Sequence, residues 1–198
     1  MESSNLILIT GITGSGKTTI SSILNKNKNV TKISLDWFYK DIPDNIDPRT
    51  YNFDDPVAID WKDVKRVIKK LLNYEEVHLT SYDFTTHKHN PTVPKIILKP
   101  NKLIVLEGVF AACDSYINSL ANKIIYVSTD TSLCLSRRIK RDIKERGREL
   151  DFVLHQWNTF VYPSYKKYIE PQQYHNKCTV VYNNTKLDLE RINVNDLI

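Results

Sequence analysis

The 198-residue sequence lacks the features that mark membrane-spanning, secreted and disulfide-bonded proteins. No run of about 18 apolar residues occurs, so no transmembrane helix is predicted. The apolar run nearest the amino terminus, Leu6–Ile9, is too short for the core of a signal peptide. The cysteines, Cys113, Cys134 and Cys178, are far apart and form no C-x-x-C pair. Their spacing favours free thiols in a reducing cytoplasm over disulfides or zinc.

The chain has enough apolar sequence for a folded core. Its residues are 41% hydrophobic and 26% charged, and we see no internal repeat, low-complexity stretch or long linker. A single domain over residues 1–198 is therefore predicted. The formal net charge of +5 is compatible with nucleic acid and with small polyphosphates as ligands.

Glycine is scarce, and three of the five glycines fall in one motif. Residues Gly11–Thr18 read Gly-Ile-Thr-Gly-Ser-Gly-Lys-Thr, a phosphate-binding loop of the form G-x-x-x-x-G-K-[ST]. A predicted strand precedes it and a predicted helix follows it, with the helix amino terminus favouring anions. Lys17 is expected to reach the β- and γ-phosphates, and the Thr18 hydroxyl to bind Mg²⁺. The predicted nucleotide-binding residues here are Gly11, Ile12, Thr13, Gly14, Ser15, Gly16, Lys17, Thr18 and Thr19.

Apolar runs alternate with helical patterns along most of the chain. The runs are Leu6–Ile9, Lys32–Leu35, Val77–Leu79, Leu103–Leu106, Ile124–Val127 and Thr179–Tyr182. An amphipathic helix is predicted after Pro56, from apolar residues at Val64, Val67, Ile68 and Leu71. Another is predicted over Thr131–Lys144, with Asp130 or Thr131 as its N-cap. The alternation predicts an α/β fold with a parallel sheet, and Tyr82–Pro100 interrupts it as an inserted hairpin or flap.

Two acidic residues follow predicted strands, at the edge where parallel sheets bind ligands. Asp36 comes directly after the second run, and a carboxylate beside a phosphate loop can receive a hydroxyl proton during phosphoryl transfer. An Asp here can also simply cap the next turn. Glu107 follows Leu103–Leu106 and can hold Mg²⁺, or else pair with a nearby Lys. The candidate catalytic residues are Asp36 and Lys17, and the candidate metal ligands are Thr18, Asp36 and Glu107.

Two segments mix aromatic rings with polar groups. In Tyr51–Pro56, Asp54 can accept hydrogen bonds from vicinal ribose hydroxyls, while Asp55 can cap a helix that begins at Pro56. In Tyr82–His87, the rings can stack on a flat base and the His can hydrogen-bond its polar edge. A Tyr/Phe pair is more often part of a core, but His87-Lys-His89 is too polar for one, so a pocket is predicted.

Residues Arg137–Arg148 form a cationic run, with seven Lys and Arg residues and two acids. Arg137 and Arg141 share a helix face, and Gly147 ends the helix. The run can be read as a solvated face or as a nucleic-acid or nuclear-localisation patch. Beside a phosphate loop, a lid that closes arginines onto the transferred phosphate is the better interpretation.

Taken together, these residues resemble the uridine–cytidine kinase family of P-loop nucleoside kinases. The resemblance extends from Leu6 to about Tyr182 and is most specific over Arg137–Arg148. The other matching segments are Gly11–Thr19, Asp36–Tyr39, Asn52–Pro56, Tyr82–His87, Val105–Phe110, Arg148–Leu150 and, more weakly, Tyr168–Pro171.

The resemblance implies a role for each matching position. Asp36 would be the base toward the nucleoside 5′-hydroxyl and would share the Mg²⁺ shell with Thr18 and Glu107. Arg141 and Arg146 would close on the ATP phosphates. Asp54 would hold the ribose with Arg138 and Gln156 nearby. The pyrimidine would be framed by Tyr82, Phe84 and His87, with Arg148 also on the nucleoside side.

The resemblance also implies a P-loop fold in three layers. It would have a five-stranded parallel sheet, a small β-hairpin over the nucleoside (82–100) and an arginine-rich lid (137–150). The family commonly forms homotetramers. Two positions depart from its pattern: Trp37 replaces a small Ser, and Asp55 replaces a His. We expect both to border the sugar pocket.

The implied activity is ATP-dependent phosphorylation of uridine and cytidine at the 5′-hydroxyl, giving UMP and CMP in pyrimidine salvage. Mg²⁺ is the implied cofactor, and neither nucleic acid nor membrane is an expected partner. A nicotinamide riboside kinase or another ribonucleoside kinase is the enzymatic alternative, against which Tyr82–His87 and Arg137–Arg148 argue. A non-catalytic basic module that binds nucleotides or nucleic acid is a remote alternative.

Overall fold

The computed structural model describes residues 4–27, 29–47, 50–92, 95–185, 188 and 191–198, and a sheet of five parallel strands lies at its centre. In chain order the strands are β1 (Asn5–Thr10), β2 (Val30–Ser34), β3 (Val77–Leu79), β4 (Ser81–Asp83), β5 (Lys88–Asn90), β6 (Ile96–Leu98), β7 (Leu103–Glu107), β8 (Lys123–Ser128) and β9 (Cys178–Tyr182). The helices are α1 (Lys17–Asn27), α2 (Trp61–Leu72), α3 (Ser115–Leu120), α4 (Thr131–Arg146) and α5 (Leu150–Gln156). Helical backbone continues from Trp157 to Tyr174, with π-helical turns over Trp157–Val161 and Tyr165–Ile169.

The central sheet has the strand order β2-β7-β1-β8-β9, and every pair in it is parallel. Strands β1 and β7 are buried along almost their whole length. Helices cover both faces of such a sheet, and this is why its inner strands are continuous apolar runs rather than alternating ones. The predicted α/β fold with a five-stranded parallel sheet is confirmed.

One predicted apolar run does not join the central sheet. Strand β3 pairs in antiparallel fashion with β6, and β4 pairs in the same way with β5. In β3, Val77 and Leu79 are buried while His78 between them is exposed. That alternation suits a short strand with one solvent-exposed face. A central parallel strand, by contrast, needs both faces buried. The interruption predicted over Tyr82–Pro100 therefore begins earlier, with β3.

The amphipathic helix predicted after Pro56 is α2, and its predicted apolar residues Val64, Val67, Ile68 and Leu71 are all fully buried. They pack in one core with side chains of β3, β6 and β7, while α1 packs in a second core on the other sheet face. The cap of α2 is Asp60, which accepts hydrogen bonds from the backbone N–H groups of Lys62 and Asp63. Asp55 caps the separate 3₁₀ turn Pro56–Ala58. Asp55, the predicted N-cap of this helix, therefore lies about one turn before the actual N-cap, Asp60.

The helix predicted over Thr131–Lys144 is α4, which runs two residues further, to Arg146. Asp130 occupies its N-cap position without a side-chain capping bond. Gly147 follows with φ of 61°, a left-handed conformation that ends helices.

The cysteines are free thiols, as the sequence predicted. Burial raises the pKa of Cys113 to about 12 and that of Cys134 to about 11, so neither is a reactive thiolate near neutral pH. Within the described residues, no helix is both long enough and apolar enough to cross a membrane.

The parallel arrangement brings the predicted functional segments to one edge of the sheet. The phosphate loop follows β1, Asp36 follows β2, and Glu107 is the last residue of β7. Because neighbouring parallel strands point the same way, these groups meet at their carboxyl ends.

The buried face of α2 should carry much of the stability of the first core. Ile68→Ala should lower the free energy of unfolding by about 2–5 kcal/mol, since it removes buried methyl groups and leaves a cavity. Ile97→Ala is the matched control, because Ile97 is 54% exposed; it should cost less than about 1 kcal/mol. Urea denaturation of both variants measures the difference, and equal losses would contradict this packing.

Candidate active site

The phosphate loop is held by close backbone contacts with its surroundings. Gly11 has φ of 142° and Gly14 has φ of 78°, conformations that favour glycine. A Cβ atom on Gly14 would lie 2.5 Å from the carbonyl oxygen of Cys134 in α4. One on Gly11 would lie 2.6 Å from the carbonyl oxygen of Val127 in β8. Both positions therefore exclude any side chain.

The backbone carbonyl of Ser15 anchors the middle of the loop. It accepts hydrogen bonds from the Thr129 hydroxyl at 3.0 Å and from the Asn183 side-chain amide at 2.7 Å. Arg137 donates to the carbonyl oxygens of Gly14 at 3.3 Å and of Asn183 at 3.2 Å. The loop is thus tied to β8, to the end of β9 and to α4.

Lys17 is the first residue of α1, and its side chain turns back into the phosphate loop. Its ammonium donates to the carbonyl oxygens of Gly11 at 2.9 Å and Ile12 at 3.0 Å. Burial lowers the pKa of Lys17 to about 8, and the carboxylates of Asp36 and Glu107 partly oppose that shift. A desolvated ammonium beside inward-facing backbone is a favourable partner for phosphate oxygens.

A cavity that we term the phosphate cavity opens beside the loop. Its walls are formed by Thr13, Gly14, Gly16, Lys17, Thr18, Ser34, Asp36, Glu107, Gly108, Val109, Arg137 and Arg141. Of the other predicted nucleotide-binding residues, Gly11, Ile12 and Ser15 are buried within the loop and do not line the cavity, while Thr19 is exposed on α1. Arg141, which was assigned to the ATP phosphates, lines this cavity, and so does Arg137, which the predicted lid contained without a separate role. Arg146 does not line it.

The three predicted metal ligands all line the phosphate cavity. The Thr18 hydroxyl donates to Glu107 Oε2 at 3.1 Å, while Lys32 forms an ion pair with Glu107 Oε1 at 2.9 Å. The alternative role for Glu107, an acid paired with a nearby Lys, is therefore present in the structure beside the contact with Thr18. One hydroxyl and two carboxylates are hard oxygen donors of the kind that Mg²⁺ prefers, so the residues fit that ion. No cluster of three or more His, Cys, Asp or Glu side chains suited to a metal occurs in the described part of the chain.

A second cavity, which we term the aromatic cavity, adjoins the first. It is lined by Thr13, Asp36, Tyr39, Tyr51, Phe53, Asp54, Phe84, His87, Val109, Arg138, Arg141, Arg146, Arg148, Gln156 and Phe160. The structure thus brings together the predicted substrate residues Asp54, Phe84, His87, Arg138, Arg148 and Gln156. Thr13, Asp36, Val109 and Arg141 line both cavities.

Stacked and edge-on rings form one wall of the aromatic cavity. The rings of Phe53 and His87 stack with centroids 4.8 Å apart and an interplanar angle of 28°. Tyr39 meets Phe53 edge-on at 5.8 Å and Phe84 at 6.4 Å. Tyr51 packs on Phe53 at 4.9 Å. These flat, rigid groups can hold a flat ligand with little loss of side-chain entropy.

His87 supplies a polar group on this wall. It lies in the turn between β4 and β5 with φ of 56°, and its Nδ1 is buried without a hydrogen-bond partner in the described residues. Burial lowers the pKa of His87, and the nearby Arg148 adds to the effect. The imidazole is therefore neutral at physiological pH, with one donor and one acceptor nitrogen.

The structure does not bring Tyr82 to the aromatic cavity. Its ring is 4% exposed and packs behind the wall, 5.8 Å from Tyr39, 5.3 Å from Phe84 and 5.4 Å from His89. Burial raises the pKa of Tyr82, whose hydroxyl has no hydrogen-bond partner among the described groups. In the short strand β4 the central residue points inward, so Tyr82 supports Phe84 from behind.

Asp36 is the acid best placed to act on both cavities. Burial raises its pKa, and the Lys17 ammonium opposes that effect most strongly. Burial likewise raises the pKa of Asp54, against the guanidinium of Arg138. A carboxylate with a raised pKa is a better proton acceptor, which suits Asp36 to general-base chemistry.

Asp142 is a charged residue beside the aromatic cavity that sequence reasoning missed. Its carboxylate is fully buried in α4 and contacts the guanidinium groups of Arg138, Arg141, Arg146 and Arg148. The sequence spacing could have indicated these ion pairs, because Asp142 stands four residues from both Arg138 and Arg146, which places the three side chains on one helix face.

Other missed residues are aromatic or far away in the chain. Tyr39, Tyr51 and Phe53 stood inside or beside the segments that carried Asp36 and Asp54, yet only the acids were assigned. Phe160 and Asn183 belong to distant segments, and no local pattern marks them as site residues.

The two departures from the family pattern lie outside the aromatic cavity, which corrects the expectation that they border it. The carbonyl oxygen of Trp37 lies 3.1 Å from His89 Nε2, and Trp37 lines a separate surface cleft. Asp55 accepts hydrogen bonds from the Val57 backbone N–H at 2.9 Å and the Tyr168 hydroxyl at 3.2 Å. Neither residue lines the aromatic cavity.

The partly buried Lys17, whose ammonium is desolvated among the loop carbonyls, should make stability depend on pH. Its folded-state pKa of about 8 lies below its ordinary value of 10.5, so the charged form destabilises the fold at low pH. As pH rises through about 8 toward 10.5, this cost disappears. The free energy of unfolding of the wild type should therefore rise relative to that of Lys17→Met.

Chemical denaturation at about pH 7 and about pH 9.5 measures this difference for wild type and variant. Lys26→Met, at an exposed position in the last turn of the same helix, is the control and should show no such trend. A constant difference between wild type and Lys17→Met would contradict the assigned burial.

Comparisons with known proteins agree with this geometry. A family model described as "Phosphoribulokinase / Uridine kinase family" matches residues 6–187. The chain is 36% identical over 171 residues to a uridine kinase from Halobacterium salinarum, covering 84% of this chain and 75% of that protein. It is 39% identical over 173 residues to uridine-cytidine kinase A from Dictyostelium discoideum, covering 83% of this chain and 34% of that longer protein.

Solved structures share the fold at low sequence identity. A putative fructose transport system kinase from a Silicibacter species has a TM-score of 0.71 at 16% identity, covering 90% of both chains. D-glycerate 3-kinase from Cryptococcus neoformans has a TM-score of 0.68 at 16% identity, covering 93% of this chain and 87% of that one. A possible uridine kinase from Bacillus stearothermophilus has a TM-score of 0.58 at 14% identity, covering 90% and 89%.

Proposed function

The chain belongs to the Phosphoribulokinase / Uridine kinase family and is a nucleoside kinase, and we propose that it phosphorylates uridine and cytidine at the 5′-hydroxyl with ATP. The products would be UMP or CMP and ADP, which is the reaction of pyrimidine salvage. The observation that carries this proposal is the pair of adjoining cavities that share Asp36. One is built for phosphates and the other for a flat ring with polar edges.

The pyrimidine would lie against the aromatic wall. The Phe53–His87 stack and the edge of Phe84 offer surfaces for a planar base. The unpartnered Nδ1 of neutral His87 would hydrogen-bond the polar edge of that base. Arg148 would add a donor on the same side, since it lines the cavity and already donates to Gln156.

The ribose would be held between the aromatic wall and α4. Asp54 would accept hydrogen bonds from the two vicinal hydroxyls, because a carboxylate offers several acceptor sites and no donor. Arg138 and Gln156 are within hydrogen-bonding distance of each other, 3.3 Å, on the facing wall. This arrangement would leave the 5′-hydroxyl pointing toward Asp36, the acid common to both cavities.

Asp36 would accept the proton of the 5′-hydroxyl as its oxygen attacks the γ-phosphorus of ATP, and the bond to the ADP oxygen would break. Lys17 and Arg141 would neutralise the phosphate oxygens, and Arg137 is close enough to add a further charge. Thr18, Asp36 and Glu107 would hold Mg²⁺, which supplies positive charge toward the β- and γ-phosphates when bound. In P-loop kinases positioning and charge neutralisation do most of the catalytic work.

The hairpin and the arginine segment would act as movable parts of one kinase domain. Phe84 and His87 belong to the β4–β5 hairpin, and Arg146 lies over the Phe84 ring at 5.8 Å. We propose that this contact holds the substrate hairpin against the arginine lid, and that Arg146 turns from the Phe84 ring to the ATP phosphates once both substrates are bound. Like its free thiols, this activity suits the cytoplasm, where ATP is available.

A coupled ADP-release assay across a panel of acceptors tests the proposed function. The panel contains uridine, cytidine, adenosine, nicotinamide riboside and ribulose 5-phosphate, with ATP and Mg²⁺ throughout. Uridine and cytidine should give the highest kcat/KM, because a neutral single-ring base with a polar edge can use both the aromatic wall and His87, whereas adenine is larger and the nicotinamide ring is cationic. A preference for nicotinamide riboside would make the chain a kinase of that nucleoside, and a preference for ribulose 5-phosphate would leave the aromatic wall without a role.

Removing the carboxylate charge of Asp36 should affect chemistry more than binding. Asp36→Asn should lower kcat by about 10²–10⁴-fold, the usual contribution of a general base, while the Kd for ATP changes by less than about threefold. Asp151→Asn serves as the control, since Asp151 is exposed on α5. Steady-state kinetics and calorimetric ATP binding give both values. An equal loss of ATP binding would assign Asp36 to the nucleotide site instead.

A further inference from the structure

The carboxylate of Asp142 divides its two oxygens between different arginines. Oδ1 lies 2.8 Å from the guanidinium of Arg141 and 3.2 Å from that of Arg146. Oδ2 lies 3.5 Å from both Arg138 and Arg148. The side chain is completely buried, so water does not share in these contacts.

These arginines serve different cavities. Arg141 is the member of the group that lines both the phosphate cavity and the aromatic cavity. Arg138 and Arg148 line the aromatic cavity, and both donate to the same oxygen of Gln156, at 3.3 and 3.1 Å. One buried carboxylate therefore stands between an arginine that would contact phosphate and two that would contact the nucleoside.

The charges in this group do not balance. Four guanidinium cations surround a single carboxylate, and its shorter contacts are those with Arg141. If Arg141 turns toward phosphate oxygens, it weakens its hold on Oδ1. The carboxylate can then approach Arg138 and Arg148, whose present distances of 3.5 Å are long for charge-assisted hydrogen bonds.

We propose that Asp142 is a positioning residue that couples the two cavities, so that a triphosphate bound beside Arg141 strengthens nucleoside binding through Arg138 and Arg148. This inference rests on the proposed function for the nature of its two ligands. By linkage the effect is reciprocal, and the nucleoside strengthens triphosphate binding by the same factor. Asp142 lines neither cavity, and its influence passes through the arginines.

A purely structural Asp142 predicts a different result. A buried ion pair that only holds the fold together would weaken binding in the same proportion with and without the other ligand. Coupling predicts that the variant loses binding affinity only when the other ligand is already bound. The two cases differ in the Kd of the acceptor without the triphosphate divided by its Kd with the triphosphate bound. Loss of stability by itself does not change that ratio.

Calorimetric titration of the acceptor, with and without a saturating non-hydrolysable ATP analogue and Mg²⁺, measures this ratio. The acceptor is the one with the fastest ADP release in the panel, so an error in the proposed substrate leaves the test intact. In the wild type the analogue should tighten acceptor binding by about fivefold or more. In Asp142→Asn the ratio should fall to about 1, while Asp151→Asn, with the same change of charge, should keep the wild-type ratio.

Three results would overturn the coupling, and the third comes from a second variant. The wild type could show a ratio of about 1, or Asp142→Asn could keep the wild-type ratio. Asp142→Glu is the second variant, because it keeps the charge that the arginines need and moves it by one methylene group. The ratio for Asp142→Glu should fall below half of the wild-type value. If Asp142→Asn does not fold, an unchanged ratio in Asp142→Glu would refute the proposal.

Discussion

The close packing of the phosphate loop against α4 is the constraint on which the rest of the site depends. Gly14 approaches the backbone of Cys134 so tightly that no side chain fits between them. Arg137, one turn further along α4, donates to the loop itself. With the first turn of α4 fixed against the loop, its last turns must lie over the aromatic cavity. One helix therefore sets the distance between the loop and the arginines.

Partly buried charge is the second organising feature. Burial lowers the pKa of Lys17 and raises those of Asp36 and Asp54, so each charged form is less favourable here than in water. Charged groups can occupy such a poorly solvated site only because opposite charges lie close to them. The same arrangement makes the cavities receptive to a polyanion, since added phosphate charge would be matched by cations that are already poorly solvated.

Much of the fold could be read from local pattern. The glycine-rich loop, the apolar runs and the spacing of Val64, Val67, Ile68 and Leu71 each follow from short-range rules of backbone and burial. The failure at Val77–Leu79 has a physical reason, because a three-residue run has too few positions to tell a buried strand from an alternating one. The aromatic residues Tyr82 and Phe84 show the same limit. They stand two positions apart in one motif, yet one ring supports the wall and the other forms it.

The sequence alone was sufficient to identify a phosphate loop, a parallel α/β sheet and the acids that follow its strands, because these depend on neighbours in the chain. Three-dimensional packing was needed to show that Asp36 lies on both cavities and that Trp37 and Asp55 lie on neither. It also revealed Phe160 in the cavity wall and Asp142 among four arginines. These relations join side chains from separate elements, and the distance between such side chains is set by how helices pack on the sheet.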